Sequence, residues 1–258
     1  MSAFVSLPRR LALSLAALLL ALPFAIAAQQ PQLTVSAAAS LTDAFKEIGK
    51  KFESGRPGST VRFNFAASGV LIQQIAQGAP VDVFASADQA TMSRGIDSKL
   101  IDPDTRRDFA ANSVVLIVPA QGAGAVKAVA DLPRPEVRRI AIGKTETVPV
   151  GRYTKQVLDS ANLWTALEPK FVQADSVRQV LDYVARGEVD AGFVYATDAA
   201  LMADKVKVAQ TATGHAPVTY PVAVVAESRQ KALAKDFIEY LRSPAAQEVL
   251  VRYGFTKP

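Results

Sequence analysis

Apolar runs of strand length recur along this chain, and an amphipathic helical pattern follows most of them. That alternation limits the possible folds more than any other feature. The expected strands are Leu33–Ala38, Thr60–Ala66, Val81–Ala85, Ser113–Pro119, Arg139–Ile142, Phe171–Ala174, Ala191–Ala196 and Tyr220–Ala226. Several are apolar throughout rather than alternating, as strands covered on both faces tend to be. Between them, Leu41, Phe45, Ile48 and Phe52 share one helical face, and so do Leu71 and Ile75. Val177, Val180, Leu181 and Val184 repeat at i, i+3, i+4, i+7, with Gly187 just past the end of that helix. Leu233, Phe237 and Leu241 mark a helix near the carboxyl end, and Ser243-Pro244 starts another with serine at N-cap and proline at N1. Strands joined through helices pair in parallel, so an α/β chain is expected, with mostly parallel sheets flanked by helices.

The amino terminus has a different composition. Arg9 and Arg10 precede an apolar run from Leu11 to Ala27, and Ala25-Ile26-Ala27 supplies small residues for a cleavage site. Residues 1–28 are therefore expected to be a signal peptide, leaving a soluble protein in the periplasm. About 230 residues remain, enough for two lobes with cores of their own. Losing those two arginines lowers the formal charge from +5 to +3. No Lys/Arg cluster interleaved with aromatics stands out, so nucleic acid is not an expected partner. The sequence has no cysteine, which excludes a disulfide framework, thiolate metal sites and a cysteine nucleophile.

In open α/β sheets ligands bind beyond the carboxyl ends of the strands, where helices begin. Ser40 and Ser68 each stand at such a junction, with no charged residue within two positions on either side. A serine there is an ordinary helix N-cap. A helix start is also an anion site, because its first N–H groups lack intrahelical partners and carry the positive end of the dipole. Val148-Pro149-Val150-Gly151 and Asp175-Ser176-Val177 open two further helices of this kind. Together the four helix starts suggest a pocket that grips an oxyanion with neutral donors.

Eight blocks carry a resemblance in order along the chain from about residue 32: S-A-A-A-S-L-T-D-A-F, F-A-A-S-G-V-L-I-Q-Q-I, G-A-P-V-D-V-F-A-S-A-D-Q, V-P-V-G-R-Y, D-S-V-R-Q-V-L, G-F-V-Y-A-T-D-A, Y-P-V-A-V-V and R-Y-G-F. In these the chain resembles the periplasmic molybdate-binding proteins of ABC importers. The resemblance implies a two-lobed, type II-like periplasmic binding fold with the ligand in the cleft between lobes. Lobe one would comprise 29–112 plus 222–258 and lobe two 113–221, with 113–119 and 220–226 as the crossing strands. It implies that molybdate or tungstate is held by the hydroxyls of Ser40, Ser68 and Tyr195 and the backbone amides of Val150 and Val177. Molybdenum would enter only as the bound oxyanion, through the same residues, and no cofactor is implied. The implied partners are the permease and ATPase subunits of the importer, the permease touched directly by a monomeric binding protein. Position 150 is valine where related sequences can carry alanine, and position 67 is alanine where a third serine can occur.

Other functions are weighed against this one. A secreted hydrolase needs an activated nucleophile, and the only histidine, His215, is far in sequence from either serine. No G-x-S-x-G elbow accompanies them, so the chain is expected not to be an enzyme. A ferric site would call for clustered tyrosines with histidine or carboxylate, which Phe193–Asp198 lacks. Sulfate suits neutral donors as well as molybdate does, and sequence leaves that alternative open.

Overall fold

The continuously apolar runs form the interior strands of two sheets. The structure, a computed structural model, describes residues 32–121 and 126–258; the expected signal peptide over 1–28 lies outside them. The chain runs β1 (Gln32–Ala38), α1 (Thr42–Ser54), β2 (Thr60–Ala66), α2 (Ser68–Ala76), β3 (Val83–Ala85) and α3 (Gln89–Asp97). Then come β4 (Arg107–Asn112), β5 (Val114–Pro119), β6 (Ile140–Gly143), α4 (Pro149–Ser160), α5 (Trp164–Leu167), β7 (Phe171–Ala174) and α6 (Val177–Ala185). It ends with β8 (Ala191–Tyr195), α7 (Ala196–Leu201), β9 (Val206–Thr211), β10 (Val218–Val224), α8 (Lys231–Leu241) and α9 (Pro244–Arg252).

The first sheet has the order β2-β1-β3-β10-β4 and the second β7-β6-β8-β5-β9. β1 pairs in parallel with β2 and β3, and β6 in parallel with β7 and β8. β10 runs antiparallel between β3 and β4, and β5 antiparallel between β8 and β9. Each five-stranded sheet therefore has four strands pointing one way and one reversed. The reversed strand is in each case the one the chain enters on changing sheets. Each sheet with its helices makes one lobe, so the fold is two-lobed as expected.

Two expectations shift. β5 and β10 each lie wholly within one sheet, so the crossings fall in the short links around Ser113 and over 212–217. The boundary expected at 221/222 cuts through β10, which is already back in the first sheet at Val218, opposite Asn112. The edge strands β4 and β9 are additions to the expected set. Their sequences, RDFAAN and VKVAQT, are partly exposed and carry charge, so no apolar run announces them.

Buried apolar faces fix the helices on the sheets. Phe45, Ile48 and Phe52 of α1 are essentially inaccessible. Phe45 and Phe52 pack edge-on to Phe237 of α8, with ring centroids 6.2 and 5.2 Å apart. Each such side chain contributes roughly 1.5–3 kcal/mol by burial. On the second sheet a Cβ at Gly151 would stand 2.1 Å from the carbonyl oxygen of Gly143. Only glycine lets α4 approach β6 so closely. Gly187, at φ +68°, stands just beyond α6 in the left-handed conformation that glycine accommodates.

Candidate functional site

Helix starts from both lobes converge at the carboxyl ends of the parallel strands. A cavity of about 10 Å³ lies there between the lobes. From the first lobe it is lined by Ala39, Ser40, Ala67 and Ala87, and from the second by Val148, Val150, Val177 and Tyr195. None of its lining side chains is charged. Sites for drug-sized organic ligands run to about 300–1,000 Å³; this hollow is far below that range, at about the size of a single water. A larger hollow of about 540 Å³ opens beside Gln32, Asp82 and Lys99, at the amino ends of β1 and β3 and away from these helix starts.

The ordinary capping role does not hold for either serine. Ser40 sits in the middle of a 3-10 turn, Ala39–Leu41, whose N-cap is Ala38, and α1 begins after Leu41 without a side-chain cap. Ser68 is itself the first residue of α2, behind Ala67. Both hydroxyls are thus free for other partners. Ser40 Oγ lies 3.1 Å from the hydroxyl of Tyr220, which also accepts from the side-chain amide of Asn112 at 3.3 Å. The network is satisfied when Tyr220 donates to Ser40, and the Ser40 proton then remains for an acceptor in the cavity. Ser68 Oγ accepts from the N–H of Ala87 at 3.0 Å and likewise keeps its proton. Ser68 neighbours the cavity through Ala67 but is not itself among the lining residues.

The backbone donors follow from helix geometry. Pro149 takes N1 of α4 and Val150 N2, behind the uncapped Val148. Val177 is N1 of α6, whose N-cap Ser176 accepts from the N–H of Gln179 at 3.2 Å. At N1 and N2 no carbonyl lies one turn back, so neither N–H has a helical partner.

Tyr195 ends β8 with its ring buried, and its hydroxyl reaches across to the Ala87 carbonyl at 3.4 Å. Burial pushes the phenols of Tyr195 and Tyr220 well above their ordinary pKa, so both stay protonated and able to donate. Behind them burial pushes the Asp198 carboxyl up to about 6, against the pull of Arg178 at 2.6 Å.

Of the residues singled out from sequence, Ser40, Val150, Val177 and Tyr195 share one cavity, with Ser68 alongside. Sequence reasoning missed Tyr220, which orients Ser40. It also missed Arg152 and Arg178, which flank the cavity and reach from the second lobe to Asp88 and Asp43 of the first. A signal for the arginines was available, since a cation near the start of a helix opposes the dipole and implies a nearby partner. His215 bonds the Ala216 carbonyl at 2.7 Å through Nδ1 and packs on Tyr153, and neither serine is among its partners. Among the described residues no three His, Cys, Asp or Glu side chains cluster to hold a metal ion, and no helix is long and apolar enough to cross a membrane.

The family model for bacterial extracellular solute-binding proteins matches residues 33–256. The molybdate-binding protein ModA of Escherichia coli (strain K12) is 39% identical over 246 residues, covering 92% of this chain and 95% of that protein. The periplasmic molybdate-binding protein of Azotobacter vinelandii superposes with a TM-score of 0.76 at 26% identity, over 88% of this chain and 99% of that one. The sulfate-binding protein SubI of Mycobacterium tuberculosis reaches the same TM-score of 0.76 at 17% identity, over 88% of this chain and 87% of that one, a likeness of fold alone.

Proposed function

The chain belongs to the bacterial extracellular solute-binding proteins, and we propose that it captures molybdate, and tungstate with it, for delivery to an ABC importer. One observation carries the reading: the cavity between the lobes is lined by helix starts and by the hydroxyl-bearing Ser40 and Tyr195, without a charged side chain. In this reading Ser40 and Ser68 donate through hydroxyls, Tyr195 by turning its O–H from the Ala87 carbonyl to the anion, and Val150 and Val177 through their amides. A hydrogen bond to a charged group contributes about 1.5–3 kcal/mol, and a helix terminus adds about 0.3–1 kcal/mol. Several together exceed the roughly 8 kcal/mol net that micromolar affinity requires. The two backbone amides also discriminate, because they only donate and a protonated phosphate would turn its O–H toward a donor there.

The protein would act in the periplasm as a monomer after loss of residues 1–28, handing its cargo to the permease that the ATPase drives. Closure of the two lobes around the anion is the movement expected of periplasmic binding proteins. A calorimetric panel of molybdate, tungstate, sulfate and phosphate on the purified mature protein tests the reading. One molybdate or tungstate per chain is expected, with sulfate and phosphate much weaker. Equal affinity for sulfate and molybdate would overturn the ligand assignment and leave the fold standing.

A further inference from the structure

Both arginines beside the cavity are placed against the helix dipole, and both are compensated across the cleft. Arg152, in the first turn of α4, donates from Nε to Asp88 Oδ2 at 2.7 Å and from Nη2 to Thr91 Oγ1 at 2.7 Å. Its Nη1 bonds the carbonyls of Thr145 and Glu146, both at 3.1 Å. Arg178, second residue of α6, donates from Nε to Asp198 Oδ1 at 2.6 Å within its own lobe. Its Nη1 reaches Asp43 Oδ2 of the first lobe at 2.9 Å, and its Nη2 the Ser40 carbonyl at 3.4 Å.

The lobe-one partners stand next to the cavity wall in sequence. Asp88 follows Ala87, which bonds Ser68 through its N–H and Tyr195 through its carbonyl. Asp43 lies three residues past Ser40. Each guanidinium thus joins a lobe-two helix start, carrying Val150 or Val177, to the lobe-one segment that faces it. Each is also neutralised by carboxylates, so its charge is held off the cavity. A lysine, with one nitrogen, could not span Asp198, Asp43 and the Ser40 carbonyl as the planar fork does.

We propose that Arg152 and Arg178 are positioning residues for anion capture. They tie the lobes together on the two flanks of the cavity and hold the α4 and α6 amides against the bound oxyanion without touching it. The ties form only when the lobes meet, so they act on release more than on encounter. The proposal rests on the oxyanion reading given above.

The test uses the lobe-one partners, since their loss separates a tie from simple electrostatics. Removing a carboxylate near an anion site should strengthen binding, whereas loss of a tie should weaken it. Asp43→Asn and Asp88→Asn are suitable, because asparagine keeps the N-cap role that Asp88 plays for Thr91. Stopped-flow release of molybdate should quicken about fivefold in each variant and at least tenfold in the double variant. The melting temperature of the ligand-free protein should stay within a few degrees of wild type. Release unchanged or slowed in the double variant would overturn the proposal.

A second readout does not depend on the ligand. The chain has no cysteine, so Lys50→Cys and Arg186→Cys, one exposed site on each lobe, can carry spin labels that report the lobe separation. The double variant should shift that separation toward the open form even if molybdate proves not to be the cargo. An unchanged distance distribution would count against the ties themselves, whereas failure of the wild type to bind molybdate would count only against the ligand assignment.

Discussion

Val177 separates backbone chemistry from side-chain chemistry. It is N1 of α6, with the extended Ser176 before it at ψ 163°, so proline fits there without removing a helical hydrogen bond. Val177→Pro should melt within a few degrees of wild type yet lose tenfold or more in molybdate affinity, about 1.4 kcal/mol or above. Val177→Ala keeps the N–H and should bind almost normally. Equal binding by the two variants in a calorimetric titration would show that this amide is not a contact. Asp198 makes a pH prediction. Its carboxyl is raised from 3.8 to about 6, chiefly by burial. The folded state therefore binds this proton more tightly than the unfolded chain does, and the associated stability is present below about pH 4 and lost as pH rises through about 6. Against Asp198→Asn, which does not titrate, wild type should lose about 2 kcal/mol between pH 4 and pH 7, most of a two-unit shift at about 1.4 kcal/mol per unit. Denaturant melts of both proteins across that range measure it, and parallel curves would contradict it. The residue types of the site were legible in the sequence, because hydroxyls and helix starts sit at strand ends. The Tyr220–Ser40 contact was not legible, because the two lie 180 residues apart.

At the scale of elements, periodicity located the long helices and the apolar strands, since a buried face must repeat with the geometry of its own element. It failed at β4 and β9, where a sheet edge needs little apolar side chain and pairing is decided by the neighbouring strand. Close packing of α4 on β6 yields a prediction of its own. An added Cβ at Gly151 meets the backbone of Gly143 at 2.1 Å and cannot rotate away. Gly151→Ala should push α4 outward, lower stability by about 1–3 kcal/mol, and weaken anion binding because the Val150 amide moves with the helix. Denaturation midpoints and titrations of the variant check both effects. An unperturbed midpoint would mean that the helix is not held by that approach.

For the whole molecule, the decisive approach is between lobes. The N–H of Gly69 on α2 donates to the carbonyl of Thr147, just ahead of α4, at 2.9 Å, and a Cβ at Gly69 would stand 2.6 Å from Thr147 Cα and O. Each lobe alone tolerates that methyl group, and replacing glycine with alanine inside a helix is otherwise favourable by about 0.4–1 kcal/mol. Gly69→Ala should leave the ligand-free melting temperature near or above wild type while weakening molybdate at least tenfold, because the lobes cannot close fully. Wild-type affinity in the variant would mean that closure does not require this contact. By itself the sequence determined the α/β class, the helix starts and the absence of charge beside Ser40 and Ser68, because these depend on local periodicity and on residue types along short stretches. The resemblance in sequence already implied that helix starts of two lobes share one cavity; tertiary structure alone decided that β5 and β10 run against their sheets. It also decided that Arg152 and Arg178 meet carboxylates 64 and 135 residues away. These depend on which distant segments meet when the core closes, and no local pattern encodes that.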